Sequence, residues 1–280
     1  MKRIAIQGIP GSFHDIAAHQ FFRDEELDLI CCDTFEDIFD HMKADRHVIG
    51  MLAIENTIAG SLLHNYELLS NSGATIVGEH KLRIQHHCVC LPDDDWDTLT
   101  EVNSHPVALA QCQQFLKRHP GLKVVEAADT ASCAEAIKRN NLRGHAAICS
   151  SYAAELYGMK VLEEGIETNK HNFTRFLVVC DPWAADDLRE RSKINKANIV
   201  FSLPHSEGSL SQVLSIFPFY NINLTKIQSL PIIGREWEYL FHVDVVFGDY
   251  LRFRQSIDAV APLTHELKIL GEYEECTSTL

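Results

Sequence analysis

The sequence predicts an α/β protein made of two unlike parts, and three observations carry that prediction. Over residues 1–180, short apolar runs alternate with segments of helical period, the pattern of parallel strands joined by helices. Residues 181–196 (DPWAADDLRERSKINK) are charged, hold one proline and lack a sustained apolar period, so they read as a linker. Beyond them the order becomes β-α-β-β-α-β, the split βαβ arrangement. A chain of 280 residues, at roughly 150 per domain, agrees with about two domains.

In chain order, residues 2–7 form a strand, 14–22 a helix and 27–31 a strand. Thr34 and Asp37 fit a capping pattern at the head of a helix over 34–44. Residues 48–54 are strand-like, and Leu62, Leu63, Tyr66 and Leu69 mark the face of the next helix. The segment 82–91 alternates, with Leu82, Ile84, Cys88 and Cys90 on one face. Residues 101–103 lead into a helix with Pro106 in its first turn, and 123–127 form a strand. A helix opens at Asp129 or Thr130 and ends near Asn140; 146–149 is a strand. A further helix runs to Tyr157 with Gly158 as its stop, and 176–180 is the last strand of this part. In the second part, strands at 199–203, 223–229, 239–247 and 265–270 enclose helices at 209–217 and 251–260.

Composition excludes several classes. Thirty-nine acidic residues against 25 basic ones give a net charge of −14, which repels a polyanion, so nucleic acid is excluded as a partner. A small anionic substrate would need a local cationic site. No uncharged apolar run approaches the ~20 residues of a membrane span. The opening MKRIAIQGIPGSF reads as a buried strand rather than a secretory signal. Nine cysteines, scattered without C-x-x-C spacing, suit reduced cytosolic thiols. Fifteen histidines invite a metal, yet no H-E-x-x-H occurs, and adjacent His86 and His87 would face opposite sides of a strand. Cys112 lies in a predicted helix, where a buried thiol is usually inert.

In open α/β sheets ligands bind beyond the carboxyl ends of strands, at helix N-termini. Four loops fit: 8–12 (GIPGS), 55–61 (ENTIAGS), 104–106 (SHP) and 129–132 (DTAS); 172–176 (NFTRF) precedes the last strand. Gly8 and Gly11 lack both G-x-G-x-x-G and G-K-[ST], so they read as a turn. Ser104 and Thr130 are equally well explained as N-caps, and Glu55 with Asn56 as a turn closure. Arg175, flanked by Phe173 and Phe176, must meet a carboxylate if buried, either an internal one or a ligand's.

Together these segments resemble one family. GIPGSFHDIAA, LAIENTIAG, SHPVALAQC, DTAS, AAICS followed by YGMKVL, and NFTRF occur in the order found in prephenate dehydratases. Residues 198–272, with EGSLSQVL, INLTKIQSLP and WEYLFHVDV, are similar to the ACT regulatory domain. The resemblance implies conversion of prephenate to phenylpyruvate with loss of carbon dioxide and a ring hydroxyl, with no metal or cofactor. It implies a two-lobed, type II periplasmic-binding-like catalytic domain over 1–181. One lobe spans about 1–78 and 165–181, the other 79–164, with crossovers near 78–85 and 164–172. A linker at 182–196 and a ferredoxin-like ACT domain over 197–280 follow. It further implies a cytoplasmic homodimer or homotetramer, with phenylalanine as effector at Gly208, Ser209, Leu210, Asn223 and Leu224. In the site it places Thr174 as a hydrogen-bond donor to the departing hydroxyl, and Arg175 against a substrate carboxylate. Glu55 is a proton donor, a partner of Arg175 or a lobe contact. Ser12, Asn56, Thr57, Ser104, Gln111 and Asn172 would be polar positioning groups, and Phe176 would pack beneath them.

Two departures stand out. Thr57 replaces the usual serine after Glu-Asn and keeps the hydroxyl. Gln228, Ser229, Leu230 and Pro231 replace the E-S-R-P motif of the regulatory domain, so effector binding is expected to be weakened or altered. Arogenate dehydratase is a sibling alternative, and a non-catalytic amino-acid sensor an alternative of another class. A chorismate mutase activity is not expected, since the strand at 2–7 opens the lyase portion directly.

Overall fold

The structure is a computed structural model that describes residues 1–277. The first half runs β1 (Lys2–Gln7), α1 (Phe13–Phe21), β2 (Leu27–Cys32), α2 (Phe35–Ala44), β3 (Val48–Asn56), β4 (Gly60–Ser61), α3 (Leu63–Ser72) and β5 (Thr75–Arg83). It continues β6 (His87–Cys90), β7 (Glu101–Ser104), α4 (Pro106–Gln111), α5 (Gln113–Arg118), β8 (Lys123–Glu126), α6 (Thr130–Asn140), β9 (His145–Cys149), α7 (Ser151–Leu156) and β10 (Lys160–Glu163). Then come β11 (Phe173–Cys180), α8 (Ala185–Leu188), β12 (Lys196–Ser202), α9 (Ser209–Phe219), β13 (Asn223–Pro231), β14 (Tyr239–Val246), α10 (Tyr250–Val260) and β15 (His265–Tyr273).

Two sheets organise the chain. Strands β10-β6-β9-β7-β8 form a five-stranded sheet. The other sheet is larger than the sequence suggests: β13-β14-β12-β15 of the C-terminal βαββαβ unit continue directly into β5-β11-β3-β1-β2. The chain passes from one sheet to the other at residues 84–86 and returns at 164–172. The single alternating strand expected over 82–91 is therefore two strands, β5 and β6, because the alternation runs on through the crossing. The last strand of the first part starts at Phe173 rather than 176, which places Thr174 and Arg175 on it. The expected linker holds two 3₁₀ turns and α8.

Local chemistry sets the helix starts. Thr34 and Asp37 make the expected capping box at α2, Ser12 caps α1, and Asp129 caps α6. The interior of β3 is buried on both faces, as a strand between helical layers must be. No helix among the described residues is long and apolar enough to cross a membrane.

The strand pairing that joins the two halves of the large sheet is parallel and brings Gly271 opposite Ile76. A Cβ on Gly271 would lie 2.3 Å from the Ile76 carbonyl oxygen, which is backbone and cannot rotate away. Gly271→Ala is therefore expected to destabilise the protein by about 1–3 kcal/mol. Thermal unfolding checks this, and an unchanged midpoint would mean that the junction opens freely.

Candidate active site

A cleft of about 470 Å³ lies between the two sheets. The first residues of four helices line it: Ser12 and His14 at α1, Thr34 and Phe35 at α2, His105 and Val107 at α4, and Asp129 and Thr130 at α6. Among the described residues no lysine or arginine lines it, whereas Asp33, Glu36 and Asp129 do. Each long helix carries roughly half a positive charge at its N-terminus. The N-termini of the three longer helices, α1, α2 and α6, are thus the fixed positive dipoles available to an anion there, beside the carboxylates of Asp33, Glu36 and Asp129.

Strands β3 and β11 build one wall. They pair antiparallel, with Thr174 opposite Asn56 and Arg175 opposite Glu55. Side chains alternate across a strand, so Thr174 and Phe176 face the cleft while Arg175 faces away. The Asn56 amide has one orientation: its Oδ1 accepts the backbone N–H groups of Ile58 (2.9 Å) and Ala59 (2.8 Å). Its Nδ2 then donates to Thr174 Oγ1 (3.0 Å) and Asn172 Oδ1 (2.8 Å). Since Thr174 Oγ1 accepts from Asn56, its own O–H is left to donate into the cleft. The polarity propagates further. Asn172 Nδ2 donates to Gln111 Oε1 at 2.8 Å, and His86 Nε2 stands 2.9 Å from that same oxygen. An amide oxygen only accepts, so His86 carries its proton on Nε2. Burial lowers the His86 pKa and so favours the neutral ring.

His14 sits beside this wall, with its ring edge-to-face on Phe176 at 4.9 Å between centroids. Burial pulls its pKa down to about 4. The unfolded chain, with an ordinary imidazole near 6.5, therefore binds this proton first as pH falls. The stability linked to a neutral His14 is present above pH 6.5 and is lost between pH 6.5 and about 4, on the order of 3 kcal/mol. His14→Gln is expected to flatten the stability–pH curve across that window in denaturant titrations. A curve as steep as the parent's would rule His14 out as its source.

Several sequence expectations about the site are corrected by the geometry. Arg175 meets no opening: it is 6% exposed and bonded to protein groups. Its Nε donates to Glu79 (2.7 Å), its Nη2 to the Tyr273 hydroxyl (3.0 Å), and its Nη1 to Asp244 and, at 3.5 Å, to Glu55. Burial opposes its charge, but Asp244, Tyr273 and Glu79 outweigh that and hold its pKa well above the usual value. The expected contact with a substrate carboxylate is therefore replaced by internal partners. Glu55 shares the face of Arg175, pairs with it and with Lys226, and is not a cleft-lining acid. Thr57 clasps the return crossing through His171 O (3.0 Å) and the Phe173 N–H (2.9 Å), outside the cleft. Ser104 is fully buried and donates to Ile148 O at 2.6 Å; its neighbour His105 faces the cleft instead. Asn172 is buried behind the wall, where it joins Asn56 to Gln111 without lining the cleft. Ser12, Asn56, Gln111, Thr174 and Phe176 do line it.

His14, His86 and His105 also line the cleft, and the sequence pattern singles out none of them as a site residue. A histidine in an apolar segment carries no signal of facing a cleft between two distant segments. Among the described residues, no group of three or more His, Cys, Asp or Glu side chains could hold a metal ion. Cys112 is buried, which pushes its thiol up to about 12 and makes it inert. The GIPGS loop packs on α7, where Tyr157 OH donates to Pro10 O (2.6 Å) and Ser150 Oγ to Gly11 O (2.9 Å). A Cβ on Gly11 would lie 3.0 Å from the Ala153 backbone, so glycine is needed for that approach. Of the expected effector residues, Gly208 precedes α9 with φ of 76°, Ser209 and Leu210 open that helix, and Asn223 and Leu224 open β13.

A family model described as prephenate dehydratase matches residues 4–183. Arogenate dehydratase 1 of Petunia hybrida is 39% identical over 293 residues, an alignment covering 97% of this chain and 66% of the relative. The chain thus spans about two thirds of the length of that curated relative. The solved structure of prephenate dehydratase in complex with L-Phe from Arthrobacter aurescens has a TM-score of 0.86 at 25% identity, covering 98% of this chain and 90% of its own. A structure described as GqqA, a novel type of quorum quenching acylase, has a TM-score of 0.87 at 27% identity, each chain covered to 99%.

Proposed function

Because this chain belongs to the prephenate dehydratase family, we propose that it converts prephenate to phenylpyruvate, carbon dioxide and water in phenylalanine biosynthesis. The bond from the ring to its carboxylate breaks, and that electron pair enters the ring. The ring C–O bond breaks in turn, and the departing oxygen, taking up one proton from solvent, leaves as water. Aromatisation drives the step, so the protein orients two carboxylates and stabilises charge on the leaving oxygen.

One observation carries this reading: Thr174 accepts from Asn56 at the cleft wall and so presents a donor, preorganised for a developing negative charge. Gln111 and Asn172 hold Asn56 in place, and the helix N-termini of the cleft receive the carboxylates. Closing the two sheets' layers over the substrate excludes water and strengthens each contact.

A second substrate is favoured by a separate observation. With Asp33, Glu36 and Asp129 and, among the described residues, no lysine or arginine along the cleft, arogenate, which carries an ammonium group, is less opposed there than doubly anionic prephenate. The decisive experiment compares kcat/KM on prephenate and arogenate without added metal or nucleotide, with and without phenylalanine. Turnover of neither substrate, alongside ligand binding, would favour a sensor instead. In this reading the protein acts in the cytoplasm as a homodimer or homotetramer. Residues 1–181 form the catalytic domain, and the C-terminal unit takes phenylalanine through residues 208–210, Asn223 and Leu224. Neutral Gln228 and Leu230 stand where the family carries charge, so the effector binds weakly.

A further inference from the structure

Behind the catalytic wall lies a buried cluster of charges that joins both halves of the large sheet. Three cations, Arg175, Lys196 and Lys226, meet three carboxylates, Glu55, Glu79 and Asp244. Glu79, at 3% exposed, is held by Arg175 Nε and by Lys196 Nζ at 2.9 Å. Asp244 is held by Arg175 and by Asn198 Nδ2 at 2.5 Å. The Tyr273 hydroxyl completes the guanidinium's contacts from a fully buried side chain. Asp244 on β14 and Tyr273 on β15 belong to the C-terminal unit, yet both bond to a residue one step along β11 from Thr174.

We propose, on the dehydratase reading of the cleft, that Asp244 and Tyr273 are positioning residues for the reaction, acting through Arg175 to set where the Thr174 hydroxyl stands. Two features carry this. Consecutive Cα atoms lie about 3.8 Å apart across a rigid peptide, so fixing the Arg175 side chain constrains the plane that carries Thr174. The ladder between β11 and β3 is also irregular between Arg175 and Phe176. A bulge at that step re-aims side chains on the β3 side, while the ladder from β11 to β5 stays in register from Phe173 to Val178. The guanidinium's fork of donors, gripped from the far side of the sheet, adds a side-chain constraint on the face where β3 gives an irregular one. Glu55 and Asn56 repeat the arrangement on β3: Asn56 faces the cleft, and Glu55 meets Lys226 of β13.

The test uses the full chain, with kinetics on prephenate and on arogenate and thermal unfolding of each variant. Tyr273→Phe removes one hydroxyl without opening a cavity. It is expected to lower kcat about tenfold, with KM within about twofold and the protein folded. Asp244→Asn, if it folds, is expected to do the same. In a Thr174→Ala background, where no hydroxyl remains to position, Tyr273→Phe is expected to cost nothing further, whereas a general structural defect would persist there. The proposal is overturned if Tyr273→Phe keeps the parental kcat, or if its loss is undiminished in the Thr174→Ala background. A parent chain that turns over neither substrate would overturn the dehydratase reading instead.

Discussion

Thr174→Ala is expected to lower kcat on prephenate by about 10²–10³-fold while the protein folds as the parent does. The side chain lines the cleft and is half-buried, so removing its hydroxyl leaves little void. What is lost is one donor, already oriented by Asn56, at the place where charge develops on the departing oxygen. Donors of this kind in water-excluded sites are worth that much because they need no reorganisation at the moment of reaction. Thr174→Ser keeps the hydroxyl and is expected to retain most of the activity, which separates loss of the donor from loss of the methyl. Threonine is too weak an acid to ionise at this site, so kcat should not report a titration of Thr174 itself. Steady-state kinetics on both substrates check this, and near-parental kcat in Thr174→Ala would remove Thr174 from the mechanism.

The fold was legible where short-range rules decide it. Thr34 and Asp37 announced α2, Pro106 announced α4, and the alternation of apolar runs with helical patterns announced the α/β layers. It was illegible where a long-range contact decides. Nothing local marks Gly271 as the residue that joins the C-terminal sheet to Ile76, and nothing in the alternation over 82–91 marks the crossing at 84–86. The site divides in the same way. NFTRF drew attention to Thr174 and Arg175 together, but a strand sends neighbours to opposite faces, and only one face is the cleft. The same pleat separates Asn56 from Glu55, and a helix start separates His105 from Ser104. The partners that decide Arg175, namely Glu79, Asp244 and Tyr273, lie far away in sequence on three different strands. Choosing between an internal carboxylate and a ligand's therefore required the sheet order.

Arg175→Met is expected to destabilise the protein by about 3–5 kcal/mol, the cost of leaving buried carboxylates without their partner. Glu79 would retain Lys196, and Asp244 would retain Asn198, but Asp244 would face only neutral donors at 2% exposure. Arg175→Lys should recover only part of this, because a single ammonium cannot serve Glu79, Asp244 and Tyr273 at once as the planar fork does. A binding role for Arg175 predicts something different: a stable variant with raised KM. Urea unfolding alongside kinetics discriminates the two. A variant with the parental midpoint and a KM raised tenfold would return Arg175 to the substrate, which its burial and its four internal partners argue against. At about 2–4 °C per kcal/mol for a chain of this size class, the expected loss is a fall in melting temperature of roughly 6–20 degrees. Because Arg175 is what ties β14 and β15 to β11, its removal should also loosen the coupling between the two halves of the large sheet, so that the variant unfolds less cooperatively than the parent.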